Sequence, residues 1–304
     1  MRASSTLKLS VVTLVSVVLL AACGGSDASS STVALKPKIT ISSTTDPVSE
    51  MVAEIYGQAL EKAEFRVARK QPFATNGELM TAMANGDVQM TGVTSQALFN
   101  VLQDPSATAA ALPNTTSDQA TAIAKLLPSN LKMGVPSTAE DKDVVYCAKT
   151  FTDANTIATL TDLGTKPGLA TLAAPDGFDT ATPLGAAGLK DLYGIEFKSI
   201  VPTPAKKTLD AINAGTADCG IGRAADPALG AATLAVLQDD KALVPNDVIL
   251  PLVGGEASSD DALSVIDAMT ARLTPDSLRA LMSRLNDGAT PEIVANEFTG
   301  NAGT

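Results

Sequence analysis

Apolar and polar positions change their period in a regular order along the chain. Residues 39–44 form a short β-branched run, typical of a buried strand. Residues 49–63 carry apolar side chains at the helical spacing of three and four, and residues 65–70 alternate as a half-buried strand does. Asp46 followed by Pro47 is a typical helix start, with an acid at the N-cap and proline in the first turn. This order predicts parallel strands joined by helical crossovers.

A second series of the same kind begins with an apolar strand at residues 144–149. The next strand ends in a Pro-Asp-Gly turn at 175–177, and the helix after it is closed by Gly194. The end of the chain predicts two helices, at residues 262–273 and 275–287. The predicted fold class is therefore α/β, with two lobes in tandem and a C-terminal helical pair packed on one of them.

One pattern occurs twice. Residues 79–98, LMTAMANGDVQMTGVTSQAL, and residues 208–229, TLDAINAGTADCGIGRAADPAL, each predict a helix ended by glycine, a strand and a small polar loop. In open α/β sheets, loops at the carboxyl ends of strands are where ligands bind. The recurrence predicts two half-sites, one in each lobe, although two ordinary helix-to-strand connections would give the same pattern by coincidence.

The N-terminus has the composition of an export signal. Residues 1–22 combine two basic residues with a mostly apolar run that is too short to span a bilayer, and they end in Leu-Ala-Ala. With Cys23 next, this ending resembles the lipobox of bacterial lipoproteins, which implies that Cys23 is diacylated and becomes the new N-terminus. Residues 23–36 then form the lipidated cysteine and a flexible tether. The alternative is a soluble secreted protein.

The composition of the chain excludes or disfavours several classes of function. The chain of 304 residues is long enough for two domains, and its net charge of −11 disfavours nucleic acid and anionic membrane surfaces as partners. Histidine is absent, which excludes Ser-His-Asp and Cys-His catalysis and zinc sites built on histidine. Ser129 and Lys132 fit the S-x-x-K pattern of acyl enzymes, but the chain has no K-T-G partner. We therefore expect no enzyme activity, no cofactor and no metal.

Two cysteines remain beyond the lipobox. Cys147 and Cys219 each lie in a strand-like segment of an exported chain, where thiols tend to oxidise. A disulfide between neighbouring strands and a pair of buried thiols are both compatible with this placement.

An ordered set of segments gives the chain a family resemblance. Residues 39–63, 144–163, 188–200, 208–229 and 234–253, followed by the tail at 261–298, resemble the substrate-binding proteins of osmoprotectant ABC transporters. These are the glycine betaine, choline and carnitine binders of the ProX or OpuC type. The resemblance covers nearly the whole chain from Ile39 onward.

The resemblance implies a periplasmic-binding-protein fold of type II, with two α/β lobes that close on a ligand in the cleft between them. Residues 37–143 plus 249–304 would form lobe 1, and residues 144–248 an inserted lobe 2. Its implied partners are a small-molecule solute, ABC permease subunits that read the closed form, and the membrane through the lipid anchor. The implied location is the outer face of the bacterial cytoplasmic membrane, as a monomer.

We expect hydroxyl, amide and charged side chains at strand ends to bind the ligand. The expected residues are Ser42, Ser43, Thr44, Thr45, Thr91, Gly92, Thr94, Gln96, Tyr146, Asp176, Gly177, Phe178, Arg223 and Asp226. Each of these hydroxyl residues is also compatible with an ordinary loop or cap role, and Arg223 and Asp226 with a surface ion pair.

The ligand chemistry departs from the resembled family. There, several aromatic rings, mostly Tyr, hold a quaternary ammonium group by cation–π attraction. Here residues 91–96 read TGVTSQ and contain no aromatic ring, and the whole chain has three tyrosines. The main expectation is a glycine betaine or choline-class solute. The alternatives are a polyol, a phenolic compound, or a lipoprotein that keeps the fold but serves as a receptor or scaffold.

Overall fold

The computed structural model describes residues 36–104, 106, 110–181 and 183–300. The predicted signal peptide, Cys23 and residues 24–35 of the tether lie outside this part of the chain. Within it, no helix combines the length and the apolar character needed to cross a membrane.

The described chain forms two five-stranded sheets with the same spatial order. Sheet 1 consists, from one edge to the other, of β2 (Arg66–Arg69), β1 (Lys38–Ile41), β3 (Met90–Thr94), β10 (Ile249–Gly254) and β4 (Leu131–Met133). Sheet 2 consists of β7 (Ser199–Pro202), β6 (Thr171–Ala174), β8 (Cys219–Arg223), β5 (Asp143–Ala148) and β9 (Leu234–Val236).

Corresponding strands also pair in the same direction. β1 is parallel to β2 and β3, while β10 is antiparallel to β3 and β4. In the same way β6 is parallel to β7 and β8, while β5 is antiparallel to β8 and β9. The predicted parallel strands with helical crossovers are confirmed, and each sheet adds antiparallel strands on one side.

Helices pack against each sheet, as the apolar stripes predict. Between the strands of sheet 1 lie α1 (Pro47–Lys62), α2 (Asn76–Ala84), α3 (Ser95–Leu102) and α4 (Thr116–Leu126). Between those of sheet 2 lie α5 (Lys149–Asn155), α6 (Leu160–Gly164), α7 (Ala186–Tyr193) and α8 (Thr208–Asn213). After β10 come α9 (Asp260–Thr270), α10 (Pro275–Asn286) and α11 (Pro291–Gly300).

The C-terminal segment holds one helix more than the sequence pattern predicted. The third helix, α11, begins at Pro291, and its buried Val294 belongs to the same core cluster as Tyr56 of α1 and Ile266 of α9. Its run of apolar side chains is too short to predict a helix, so the helix depends on packing against α1 more than on its own sequence. All three C-terminal helices therefore bury apolar side chains in the same core cluster as β1 and α1.

The recurrence of the glycine-ended helix is confirmed in the backbone. Gly86 after α2 and Gly215 after α8 have φ values of 79° and 68°, the left-handed region that glycine adopts without strain. Val88 donates to the carbonyl of Ala82 at 3.3 Å, and Ala217 donates to the carbonyl of Ala211 at the same distance. The strands that follow these two helices, β3 and β8, each lie third in the strand order of their sheet.

The polar tail of the first copy is not a loop. Thr91 to Thr94 lie inside β3, which β10 pairs along its whole length, and Ser95 opens α3. Residues are small here because α1 packs closely on the strand: a Cβ at Gly92 would lie 2.3 Å from Cγ1 of Val52. Close packing of a helix on a central strand, and not exposure, explains this run of Thr and Gly.

Two segments of the chain pass between the sheets. They pair through an isolated antiparallel bridge between Glu140 and Val248, and Asp141 donates its N–H to the carbonyl of Asp247 at 3.0 Å. Lys142 adds a hydrogen bond to the side chain of Asn246 at 2.9 Å. The two crossing segments thus form one short ribbon.

Candidate ligand site

A cavity of about 220 Å³ opens where the first turns of three helices meet this ribbon. It is lined by Thr44, Asp46, Val48, Ser49, Val52, Asn76, Gly92, Val93, Thr94, Ala97, Asp141, Arg223 and Ile249. Among these described lining residues none is aromatic, so the wall offers hydroxyls, one amide, two carboxylates and one guanidinium above an aliphatic floor.

The first turn of α1 supplies one side of the cavity. The carboxylate of Asp46 caps the helix by accepting the N–H of Ser49 at 2.9 Å. The Ser49 hydroxyl donates to the carbonyl of Gly92 at 3.1 Å and accepts the N–H of Thr44 at 3.2 Å. Ser49 therefore ties the end of β1, the start of α1 and β3 together at the cavity wall.

The neighbouring part of the cavity wall is built by β3 and the start of α3. Thr94 ends the strand and caps α3, with its hydroxyl accepting the N–H of Ala97 at 3.4 Å. Asn76 joins from the first turn of α2, whose N-cap Thr75 and Glu78 form a reciprocal capping box. The first N–H groups of α3 are already paired, because Ser95, Gln96 and Ala97 donate to the carbonyl of Val248, the carboxylate of Asp247 and the hydroxyl of Thr94. The polar side chains of these first turns are therefore the groups left for a ligand.

Sheet 2 contributes Arg223, the last residue of β8. Its guanidinium is held by Asp141 of the crossing ribbon, from Nε to Oδ1 at 3.2 Å and from Nη2 to Oδ2 at 3.1 Å. Nη2 also donates to the Asp141 carbonyl, and Nη1 lies 3.5 Å from Oδ1 of Asp143. Burial opposes the charge of Arg223, but the hydrogen bond and the two carboxylates outweigh it and raise its pKa.

A buried carboxylate lies just behind the cavity. Oδ1 of Asp247 accepts the N–H of Gln96 at 2.8 Å and the hydroxyl of Ser95 at 3.4 Å, so the ribbon is anchored to the first turn of α3. Burial raises the pKa of Asp247 above its ordinary value, although the Gln96 N–H and the charge of Arg223 oppose this shift.

The structure places four of the expected ligand residues on the cavity: Thr44, Gly92, Thr94 and Arg223. The others from the first lobe lie elsewhere. Ser42 and Ser43 line a different cavity beside β2, and the Ser42 hydroxyl donates to the carbonyl of Gln71 at 3.0 Å. Thr91 is fully buried, and Thr45 is exposed. The Gln96 side chain donates to Asn100 at 2.8 Å.

Most of the expected residues of the second lobe also lie away from this cavity. Tyr146 is buried in the sheet 2 core, with its hydroxyl 2.8 Å from that of Thr208. Phe178 is 4% exposed and belongs to another part of that core, after an exposed turn at Asp176 and Gly177. Asp226 is exposed and accepts the N–H of Ala228 at 2.9 Å.

The pattern of the sequence did not single out Asp46, Ser49, Asn76 or Asp141 as site residues. The available signal was positional, because residues in the first helical turn after a parallel strand face the same sheet edge as the strand end. The sequence predicts Asp46 as a helix cap, and a cap at such an edge also faces the ligand region.

Cys147 and Cys219 are joined by a disulfide between directly opposed residues of β5 and β8. Both cysteines are fully buried in the sheet 2 core, and neither lines the cavity. It is a structural link within sheet 2.

Two similar α/β sheets, joined by a ribbon of two crossing segments with a polar cavity at the junction, define a periplasmic binding protein of type II. The family model for the substrate-binding domain of ABC-type glycine betaine transport systems, OpuAC, matches residues 37–301. The chain therefore belongs to the OpuAC family of ABC transporter substrate-binding proteins, which bind small solutes, work with permeases and are not an enzyme family.

Solved structures share this fold. A glycine betaine/carnitine/choline ABC transporter structure matches with a TM-score of 0.75 and 18% identity, over 88% of this chain and 98% of the other. Apo YehZ from Escherichia coli matches with a TM-score of 0.73 and 18% identity, over 88% and 99%. Lactococcal OpuAC, closed on glycine betaine, matches with a TM-score of 0.50 and 17% identity, over 88% and 96%.

No curated protein sequence matches the chain significantly. At these low identities the structural likeness concerns the fold, and the ligand has to be argued from the cavity itself.

Proposed function

We propose that the chain is the extracytoplasmic binding lipoprotein of an ABC importer, which captures a small osmoprotectant-like solute in the cavity and delivers it to the permease. The single observation that carries this proposal is the cavity at the junction of the two sheets, lined by polar groups from both sides of the crossing ribbon. A ligand held there contacts both lobes, so binding favours the closed arrangement.

The solute that the family suggests is of the glycine betaine or choline class. A second candidate is an uncharged polyol, which the cavity favours because its described lining carries hydroxyls and an amide but no aromatic ring for a cation–π contact. Both solutes are osmoprotectant-like, and both fit a small polar cavity.

The proposed lobes follow the sequence analysis, with residues 37–143 plus 249–304 as lobe 1 and residues 144–248 as lobe 2. The membership of the sheets supports this division, although β5 of sheet 2 already starts at Asp143. We also propose that Cys23 is diacylated and holds the monomer on the outer face of the cytoplasmic membrane. The mass of the protein extracted from membranes tests this, since a Cys23→Ser variant should lose the lipid mass and be released.

Calorimetric titration of the mature chain with glycine betaine, choline, carnitine and sorbitol tests the solute. We expect heat from at least one of them, and a loss of affinity of about tenfold in an Asn76→Ala variant, which removes one hydrogen-bonding side chain from the cavity. Asn213→Ala is the matched control, because Asn213 is exposed at the end of α8. Absence of heat from the whole panel contradicts the proposed solute class.

A further inference from the structure

Arg223 is the one base among the described residues that line the cavity, and it comes from sheet 2. All three of its guanidinium nitrogens are engaged by acids of the same junction. Nε and Nη2 contact the carboxylate of Asp141, and Nη1 lies near that of Asp143. The Arg223 side chain remains 51% exposed, so this ion pair sits at the cavity mouth and not in a sealed core.

The positive charge of Arg223 is thereby outweighed before any ligand arrives. Two carboxylates flank one guanidinium, and Asp46 adds a further acid to the cavity wall. A ligand carboxylate that approaches Arg223 has to displace Asp141 or add a third negative charge to the cluster. Like charges placed together away from bulk water are unfavourable, and a displaced acid would be left without its partner.

A hydroxyl group meets no such obstacle. The hydroxyls of Thr44 and Thr94 and the amide of Asn76 are neutral groups that both donate and accept. The carboxylates of Asp46 and Asp141 accept hydrogen bonds from a ligand hydroxyl without any change of net charge.

We propose that the cluster of Arg223, Asp141 and Asp143 makes the cavity select solutes that carry hydroxyl groups and reject those that carry a carboxylate. This proposal rests on the proposed function and narrows the range of solutes that the cavity accepts. Within the quaternary ammonium class it favours an alcohol over a zwitterion, and among other solutes it favours polyols over sugar acids.

The test uses two pairs of solutes that differ in one group. Choline and glycine betaine share a trimethylammonium group and differ in a CH₂OH against a carboxylate, and sorbitol and gluconate differ in the same way. Calorimetry on the mature wild-type chain should show the hydroxyl member of at least one pair binding about tenfold more tightly than its carboxylate partner.

An Asp141→Asn, Asp143→Asn double variant should then reverse part of this preference. Both changes keep the side-chain size and remove the two acids that contact Arg223, so the carboxylate member should gain at least about fivefold relative to its partner. Asp153→Asn is the control, because Asp153 is an exposed acid paired with Lys149 on α5. An Arg223→Gln variant should reject carboxylates more strongly than wild type. Because this change removes the positive charge and also enlarges the cavity, the result shows whether charge or cavity size sets the preference.

The outcomes distinguish the two proposals. If wild type binds the carboxylate member as tightly as the hydroxyl member, the selectivity is wrong while solute capture stands. The same holds if the double variant, folded by circular dichroism, leaves the ratio unchanged. If no member of either pair binds wild type or variant, the proposed solute class fails and the selectivity fails with it.

Discussion

At the scale of single residues, burial decides whether a polar side chain serves the ligand or the core. Tyr146 and Tyr56 are both buried and both place their hydroxyl 2.8 Å from a threonine hydroxyl, Thr208 in the sheet 2 core and Thr270 in the sheet 1 core. Burial raises the pKa of both phenols, which therefore stay neutral at any physiological pH. Tyr146, expected at the ligand, is on this ground a structural residue.

Replacement of Tyr146 by Phe tests this assignment. We expect a loss of about 1 kcal/mol in the free energy of unfolding, because one buried hydrogen bond is removed while the ring remains. The affinity for the solute should not change. Urea unfolding and calorimetry measure the two effects.

Tyr56→Phe is the matched control and should lose a similar free energy, since its hydroxyl has the same kind of partner in the other core. A Tyr146→Phe variant that kept its stability but lost solute affinity would show that the ring does face the ligand.

Asp247 makes the stability of the folded protein depend on pH. Its pKa is raised in the folded chain above the ordinary 3.8, mainly by burial, so the native state disfavours the ionised form. The stability of the protein should therefore fall as the pH rises from that ordinary value through the raised one, and the penalty should be fully present above it.

An Asp247→Asn variant retains an oxygen that can accept the N–H of Gln96 and removes the charge. We expect it to gain stability over wild type near neutral pH and to lose that advantage at about pH 3.5, where the wild-type carboxyl is protonated. Urea unfolding at both pH values measures the difference, with the exposed Asp191→Asn as control. An equal gain at both pH values would contradict a titration effect.

At the scale of elements, the glycine-ended helix is the repeated unit. In both copies the glycine has a positive φ, and a Cβ there would meet nothing within 4 Å. The requirement for glycine is therefore one of backbone conformation and not of space. Helix α2 ends at Ala84 and α8 at Asn213, just before the glycine, and the third strand of each sheet follows after a short turn.

Gly86→Ala and Gly215→Ala should each destabilise the protein by about 1 to 2 kcal/mol, the cost of holding an L-residue in the left-handed region. Asn at either position should cost less, because asparagine tolerates this region. Chemical unfolding of the four variants measures these differences. A neutral alanine variant in one copy would show that the two turns are not equivalent.

At the scale of the whole molecule, the lobes are connected by more than the crossing ribbon. Ala225, just after β8, is buried in the same core cluster as α1, and Arg279 of α10 donates to the carbonyl of Ala224 at 3.2 Å. The end of β8 thus contacts the sheet 1 side next to the cavity. A solute bound in the cavity lies beside this contact between the lobes.

Solute binding should therefore reduce the radius of gyration, measured by small-angle scattering of the mature chain with saturating solute from the calorimetric panel. Closure of two lobes around a ligand in the cleft is the physical reason. The Asn76→Ala variant should need more solute for the same change. An unchanged profile at saturation would favour rigid lobes and a receptor or scaffold role.

The sequence by itself determined the elements and their order. Period-two and helical spacing located β1, β2 and β5 and the helices α1, α9 and α10, the cap at Asp46 located a helix start, and the glycines at 86 and 215 located two helix ends. These features depend on neighbours within a few residues, so local chemistry is sufficient to predict them. The strands β4, β9 and β10 and the helices α3 to α6 were not predicted. The sequence pattern did not predict α11, because packing on α1 stabilises this helix.

Only the tertiary structure decided which polar residues share a cavity. Thr44, Thr94, Arg223 and Asp141 come from a strand end, a helix cap, the other sheet and the crossing ribbon. Their distances depend on how two sheets meet, which no local pattern encodes. Burial of Tyr146 and Phe178 is likewise set by strands and helices far away in sequence, because a sheet has two faces and only packing decides which one meets the ligand.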